Sequence, residues 1–155
     1  MSGRLVREIR QTKPFSSPEE EAVLNLHRTA AHLEQASAEA LRPHDLTGTQ
    51  YNALRILRGA GEAGLACGEI GDRMVRRDPD VTRLLDRLEE RGLVLRARDA
   101  GDRRVVTSRI TPAGLALLAV LDGEVAALPR RLLGHLGKRR VALLIELLER
   151  ARERP

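Results

Sequence analysis

The chain has 155 residues, of which 42% are hydrophobic and 32% charged, and its formal net charge is +5. This length and composition predict one domain, or two small lobes that share a sizeable core, and exclude an intrinsically disordered chain. With no Trp, one Tyr, one Phe and one Cys, the sequence argues against a stacking platform for single-stranded nucleic acid, a disulfide framework and a zinc finger.

The positive charge favours a polyanionic partner, although a basic surface without such a role would carry the same charge. No apolar run approaches the roughly 18 residues of a membrane-spanning helix. The first residues also lack the pattern of a signal peptide. We therefore expect a cytoplasmic protein.

Residues 1–16 contain four basic residues and one acidic residue. We interpret them as a basic N-terminal arm, with a frayed terminus as the alternative. A helix is predicted to begin after Ser17, because serine is a preferred N-cap residue and Pro18 suits the first helical position. Val23 and Leu26 lie on the apolar face of this helix.

The most regular pattern lies in the middle of the chain. It is preceded by a second helix from about Thr47, a glycine-rich loop at 59–64 and a short helix over 68–75. In the fourth helix, Asp78 is the predicted N-cap and Pro79 the first residue. Apolar residues then recur at i, i+3, i+4 and i+7 and form one stripe, namely Val81, Leu84, Leu85 and Leu88.

Two strands and two helices complete the chain. Gly92 is predicted to end the fourth helix, and alternating residues predict strands over 93–98 and 104–110. Thr111 and Pro112 predict the start of a long helix, which a proline further along is expected to kink. The last helix, "KRRVALLIELLERARER", has an apolar face wider than one neighbouring helix would cover.

A helix, a short helix, a patterned helix and two strands, in this order, predict a winged helix-turn-helix: mainly α with a small β wing. Arginines and a hydroxyl around the start of a protruding helix suit the major groove of DNA. For Arg87 an ordinary solvated pair with Glu90 is the alternative. The candidate DNA contacts of this helix and of the residues before it are Arg76, Arg77, Thr82, Arg83 and Arg87.

Three segments, "LTGTQYNALRIL", "VTRLLDRLEERGLVLR" and "DRRVVTSRITPAG", together resemble the MarR family of bacterial transcriptional regulators. The resemblance spans about residues 20–150. Its most specific part is the D-x-R wing followed by a T-x-x-G helix start, which here is Asp102, Arg104, Thr111 and Gly114.

The resemblance implies a homodimer with two kinds of lobe. Residues 17–46 and 111–155 would form a helical dimerisation lobe, and residues 47–110 the DNA-binding lobe. The implied dimer contacts are Val23, Leu26, Leu143, Leu144, Leu147 and Leu148.

The resemblance also suggests roles for the charges at the wing tip. Arg104 would enter the minor groove, where a narrow groove concentrates negative potential. Asp102 would order arginine side chains before DNA arrives. Arg103, its neighbour on a strand, would point the other way and contact phosphate at most. A charged turn that prevents edge-to-edge aggregation is the alternative.

Many relatives bind small aromatic acids or phenols between the lobes, so a small-molecule effector is implied, with Arg28, His32, Gln50 and Asn52 as candidates to line the crevice. We interpret Cys67 as a small core residue, with a redox role as the alternative. The histidines lack metal-ligand spacing, and we expect no metal and no cofactor.

The sequence thus predicts a dimeric, sequence-specific regulator of transcription that binds a pseudo-palindromic double-stranded operator, as a repressor that responds to a ligand. A winged-helix module that acts through protein contacts, without reading bases, is the alternative. An enzyme is not expected, because the sequence shows no nucleophile–base pair, metal set or phosphate-binding glycine loop.

Overall fold

The computed structural model describes residues 4–98 and 105–153. Within these residues the structure has seven α-helices and three strands. The helices are α1 Arg4–Glu8, α2 Pro18–Leu41, α3 Gly48–Ala60, α4 Cys67–Arg73, α5 Val81–Glu90, α6 Pro112–Leu133 and α7 Lys138–Arg150. The strands are β1 Leu65–Ala66, β2 Val94–Arg98 and β3 Val106–Ile110. Short 3-10 turns lie at Arg42–His44, Gly61–Ala63 and Gly134–Leu136. The predicted fold class, mainly α with a small β wing, is confirmed.

Helix starts were well predicted where a hydroxyl residue forms the N-cap. The Ser17 hydroxyl accepts a hydrogen bond from the backbone N–H of Glu20 at 3.2 Å. Thr47 and Gln50 form a reciprocal capping box, with bonds of 3.2 and 3.0 Å. Such caps satisfy backbone N–H groups that have no partner inside the helix.

The predicted N-cap of α5 was wrong by two residues. The cap is Asp80, whose side chain accepts the backbone N–H of Arg83 at 3.0 Å. Asp78 instead accepts the backbone N–H of Asp80 at 2.9 Å. This bond closes a turn before the helix, so Pro79 lies in that turn and not at the first helical position.

Other boundaries differ more modestly. The predicted glycine-rich loop is shortened because α3 continues through Gly59 to Ala60, and the short helix occupies 67–73 instead of 68–75. Strand β1 was not predicted, since two residues carry no usable alternation. It pairs with β3 and completes an antiparallel sheet of order β1-β3-β2. The basic arm contains α1, and Leu5 of this helix is buried.

The T-x-x-G segment joins the wing to the start of α6. The Thr111 hydroxyl donates to the Gly92 carbonyl at 2.7 Å and accepts the Gly114 N–H at 3.1 Å. A Cβ on Gly114 would lie 2.5 Å from the Leu93 carbonyl oxygen and 2.7 Å from a side-chain carbon of Ile110. The close approach of the two backbones therefore requires glycine at this position.

The core lies mainly between α3, α4, α5, the sheet and the first half of α6. Its fully buried members include Leu54, Leu57, Ile70, Leu85, Leu88, Leu118 and Leu121. By contrast, α2 buries only Leu41 among its described residues. Among the described residues of α7 none is buried. The two helices therefore present apolar side chains that this single chain does not cover.

One helix, Pro112–Leu136, is long and apolar enough by length and composition to cross a membrane. This differs from the expectation that no segment resembles such a span. Its most apolar 18-residue window has a mean hydropathy of 1.4, and 22% of that window is buried. Core helices of soluble proteins have the same length and composition but are mostly buried, whereas this helix buries only part of its surface, including Leu118 and Leu121.

Candidate nucleic-acid interface

Helix α5 has the two-sided character that the sequence predicted. Leu84, Leu85 and Leu88 are 6%, 0% and 0% exposed, so the apolar stripe faces the core. Arg83 and Arg87 lie on the exposed side. Because the stripe anchors the helix, its arginine face is held outward on a rigid support.

The exposed side of α5 continues into a cleft shared with the start of α3. Arg83 and Arg87 line this cleft together with Thr47 and Thr49. The two threonine hydroxyl oxygens are 3.1 Å apart. Asp78 and Asp80 line the same cleft, so it combines two guanidinium groups and two hydroxyls, which suit phosphate and base edges, with two carboxylates.

The two arginines before α5 differ in their surroundings. The Arg76 guanidinium lies 2.8 Å from the Glu34 carboxylate of α2, so this predicted DNA contact is paired within the chain. Arg77 is exposed. The segment between α4 and α5 is bound to α3 by one hydrogen bond, in which the backbone N–H of Val75 donates to the Asn52 side-chain oxygen at 3.0 Å. The Val75 side chain itself is 94% exposed.

The predicted wing-tip residues Asp102, Arg103 and Arg104 lie outside the described residues, so their roles stay predictions. The strands that lead to them are described. Arg96 pairs with Ser108, and Arg98 with Val106. These pairs share the face of buried Val94, which is the inner face of the wing.

A charged network on this inner face joins the wing to α5. The Glu89 carboxylate accepts the backbone N–H of Arg96 and its Nε–H, each at 3.0 Å. The Arg96 Nη2 also donates to the Asp86 carboxylate. The hydrogen bonds from the Arg96 backbone and then from its side chain lower the pKa of Glu89. The guanidinium and the backbone N–H thus favour the ionised form of the Glu89 carboxyl.

Arg96 was not among the functional residues predicted from the sequence. A usable signal existed: strand alternation places Arg96 on the same face as Val94. A largely buried arginine on such a face needs an acceptor, most often a carboxylate. Which carboxylate it meets depends on how β2 packs against α5.

Two further arginines join the helix-turn-helix to the surrounding helices. Arg58 of α3 donates to both Asp122 oxygens of α6, at 3.0 and 2.8 Å. Arg91 donates to the carbonyls of His44 and Asp45, between α2 and α3. Together with the Arg76 pair, these contacts connect the predicted DNA-binding lobe to α2, α6 and the segment after α2.

Cys67 is the first residue of α4 and is half-buried. Its Sγ lies 3.5 Å from the Thr82 hydroxyl. Both residues line a cavity between α5 and the wing. Cys67 thus packs against the edge of the core, as predicted, but is only partly buried.

The four residues suggested for an effector crevice do not come together. Gln50 is held in the α3 capping box and Asn52 in the bond to Val75. Arg28 and His32 line a cavity with residues of α1 and the end of α6, and neither Gln50 nor Asn52 lines that cavity. Within residues 4–98 and 105–153, no group of three or more His, Cys, Asp or Glu side chains could hold a metal ion.

Comparisons with known proteins agree with this architecture. The model of the MarR family matches residues 46–106. The crystal structure of a MarR transcription factor from Planctomyces limnophilus is similar to this chain, with 43% sequence identity and a TM-score of 0.68. The match covers 87% of this chain and 98% of that one. The HTH-type transcriptional regulator MhqR of Bacillus subtilis is 29% identical over 110 residues, or 71% of this chain and 74% of MhqR.

A structure of an E. coli MarR variant complexed with operator DNA is also similar. It is 26% identical, its alignment covers 97% of this chain and 100% of that one, and the TM-score is 0.78. The winged helix-turn-helix described above and the 43% identity to a nearly full-length relative lead to one conclusion. The chain belongs to the MarR family of transcriptional regulators.

Proposed function

We propose that the chain binds double-stranded operator DNA as a homodimer, reads its sequence and thereby regulates transcription. The observation that carries this proposal is the arginine face of α5, held outward by a buried leucine stripe. The similar E. coli MarR variant was crystallised with operator DNA, which supports the same use of this fold here.

Within this proposal, α5 lies in the major groove. Arg83 and Arg87 approach base edges or phosphates, with Thr82 and Arg77 beside them. Arg76 joins the interface only if its ion pair with Glu34 opens. At the wing, Arg104 enters the minor groove, Asp102 orders the tip, and Arg103 contacts phosphate at most.

The proposed lobes are those that the family resemblance implies, and they share one core, in which Leu41, Leu118 and Leu121 pack with residues of α3 and α5. Residues 47–110 form the DNA-binding lobe, and residues 17–46 and 111–155 the dimerisation lobe. Val23 and Leu26 of α2 are 50% and 45% exposed in the single chain. Burying such surface against a second copy would remove it from water.

The dimer contacts on α7 have the same property. Leu143 and Leu147 are 53% and 52% exposed, and Leu144 and Leu148 are half-buried. A two-fold arrangement of identical lobes presents two α5 helices to DNA. The operator is therefore proposed to be a pseudo-palindrome whose half-sites are about one helical turn apart.

We further propose that the protein is cytoplasmic, acts as a repressor, and releases DNA when a small-molecule effector changes the arrangement of its lobes. The ion pairs Arg58–Asp122 and Arg76–Glu34 connect the lobes and provide contacts that such a change would alter.

Selection of bound duplexes from random DNA tests the proposal. We expect a pseudo-palindromic consensus bound by one dimer. Recovery of duplexes without any shared sequence would contradict base readout and would favour the alternative, a winged-helix module that acts through protein contacts.

A further inference from the structure

We propose that Arg96 is a positioning residue for DNA recognition, and this inference rests on the proposed function. Arg96 fixes β2, the first strand of the wing, to α5, so that the wing and α5 approach the duplex as one rigid unit. Its guanidinium acts on the Asp86 and Glu89 carboxylates and does not itself contact DNA.

The bonding of Arg96 supports this role. Its backbone N–H and Nε–H both donate to Glu89 at 3.0 Å, and its Nη2 donates to Asp86. One strand residue is thereby connected to two positions on α5 that are nearly one helical turn apart. A connection at two points resists both sliding and rotation of β2 relative to α5.

Exposure distinguishes Arg96 from the arginines proposed to contact DNA. Its side chain is 24% exposed, compared with 72% for Arg76. Arg83 and Arg87 are exposed on the outer side of α5. A guanidinium that already binds two carboxylates and lies on the inner face of the wing has little capacity left for phosphate.

The pairing also has an electrostatic consequence for α5. Asp86 and Glu89 belong to the helix proposed to enter the major groove, and their side chains are 44% and 36% exposed. Unpaired carboxylates there would be repelled by phosphate. Arg96 offsets one of these two negative charges while holding both side chains against the wing.

The two possible roles predict opposite effects of removing a negative charge. If Arg96 bound phosphate directly, Glu89→Gln would free the guanidinium and remove repulsion, so DNA binding would become tighter. If Arg96 is a positioning residue, Glu89→Gln weakens specific binding, because the amide oxygen can accept only one of the two Arg96 hydrogen bonds and the NH₂ faces the other donor.

The experiment compares Arg96→Lys, Arg96→Gln and Glu89→Gln on the selected operator and on a random duplex, at several salt concentrations. Arg109→Gln is the matched control, since Arg109 is exposed on the other face of the same strand pair. Thermal unfolding of each variant sets a measurement temperature at which all are folded.

We expect Arg96→Lys to lose about tenfold in operator affinity although its charge is retained, because an ammonium cannot form the fork. The operator affinity of Arg96→Gln and of Glu89→Gln should fall by a similar factor. For Arg96→Lys and Glu89→Gln, random-duplex affinity and the salt slope should stay within error of the wild type. Arg109→Gln should reduce both affinities equally and slightly.

Each of three results would overturn the inference. The first is an Arg96→Lys variant that binds the operator as tightly as the wild type, and the second is a Glu89→Gln variant that binds it more tightly. The third is an Arg96→Gln variant whose affinity falls equally for both duplexes and whose salt slope is lower by about one, as after loss of a phosphate contact. If Arg96→Gln fails to fold, Glu89→Gln and Arg96→Lys decide. A wild-type protein that selects no operator would overturn the proposed function and this inference together.

Discussion

The Arg58 guanidinium lies against the Asp122 carboxylate, with its Nη1 3.0 and 2.8 Å from the two oxygens. The pair joins α3 of the proposed DNA-binding lobe to α6 of the proposed dimerisation lobe. The hydrogen bond from Arg58 lowers the pKa of Asp122 below its ordinary value of 3.8.

This pair predicts a pH dependence of stability. Because the pKa of Asp122 is lower in the folded than in the unfolded state, its contribution is fully present above about 3.8. It is lost as the pH falls through the lower folded-state pKa. Asp122→Asn should therefore be less stable than the wild type near neutral pH, and this difference should shrink in strong acid. Urea unfolding across this range measures it, with Glu124→Gln on the same helix as the carboxylate-removal control.

The exposed apolar face of α7 predicts a dimer at micromolar concentration. Leu143→Asp combined with Leu147→Asp should give monomers or aggregates, since both side chains are about half exposed in the single chain and charge there opposes burial against a partner. Analytical ultracentrifugation measures the change. Val75→Asp, at a 94% exposed position in the other lobe, should remain dimeric. A monomeric wild type would contradict the prediction.

Arg83→Ala should weaken operator binding by about 1 to 3 kcal/mol if the side chain pairs with a base. Random-duplex binding should change little. The helix cap should survive, because Asp80 accepts the backbone N–H of residue 83 and not its side chain. Titration of both duplexes by fluorescence anisotropy separates the effects, and equal losses on the two would identify Arg83 as a phosphate contact.

The wing arginines are predicted to be unequal. Arg104→Ala should remove preference at the outer, A·T-rich ends of the operator, whereas Arg103→Ala should keep it and lower the salt slope by at most about one. Asp102→Ala should weaken specific binding despite the lost negative charge, because the tip is no longer ordered. Titrations at several salt concentrations measure all three. Tighter binding by Asp102→Ala, with equal effects of both arginines, would show the wing to be only a basic patch.

Gly114→Ala should destabilise the fold by about 1 to 3 kcal/mol, as overpacking does. Its Cβ would lie 2.5 Å from the Leu93 carbonyl oxygen, so α6 would have to move away from the wing. Gly123→Ala on the same helix is the matched control. Its Cβ would meet no heavy atom of the described residues within 4 Å, and alanine favours the helix. Chemical denaturation compares the two, and a Gly114→Ala variant with the wild-type free energy of unfolding would contradict this prediction.

The sequence by itself determined the local features of this protein. The Val81, Leu84, Leu85 and Leu88 stripe, the capping residues Ser17, Thr47 and Thr111, and the D-x-R and T-x-x-G motifs were sufficient to predict the fold class and the family. These signals arise from hydrogen bonds and periodicities within a few residues. The same local reasoning placed the α5 cap at Asp78, because two aspartates flank Pro79 and the turn geometry decides between them.

Only the tertiary structure decided the long-range partners. Arg58 and Asp122 are 64 residues apart, and Arg76 and Glu34 are 42 apart. The spacing of Arg96 from Asp86 and Glu89 became meaningful only when β2 packed against α5. A charged side chain has many possible partners along a chain, and the folded backbone brings just a few within hydrogen-bonding distance. Strand β1 followed the same rule, because its two residues became a strand through pairing with β3.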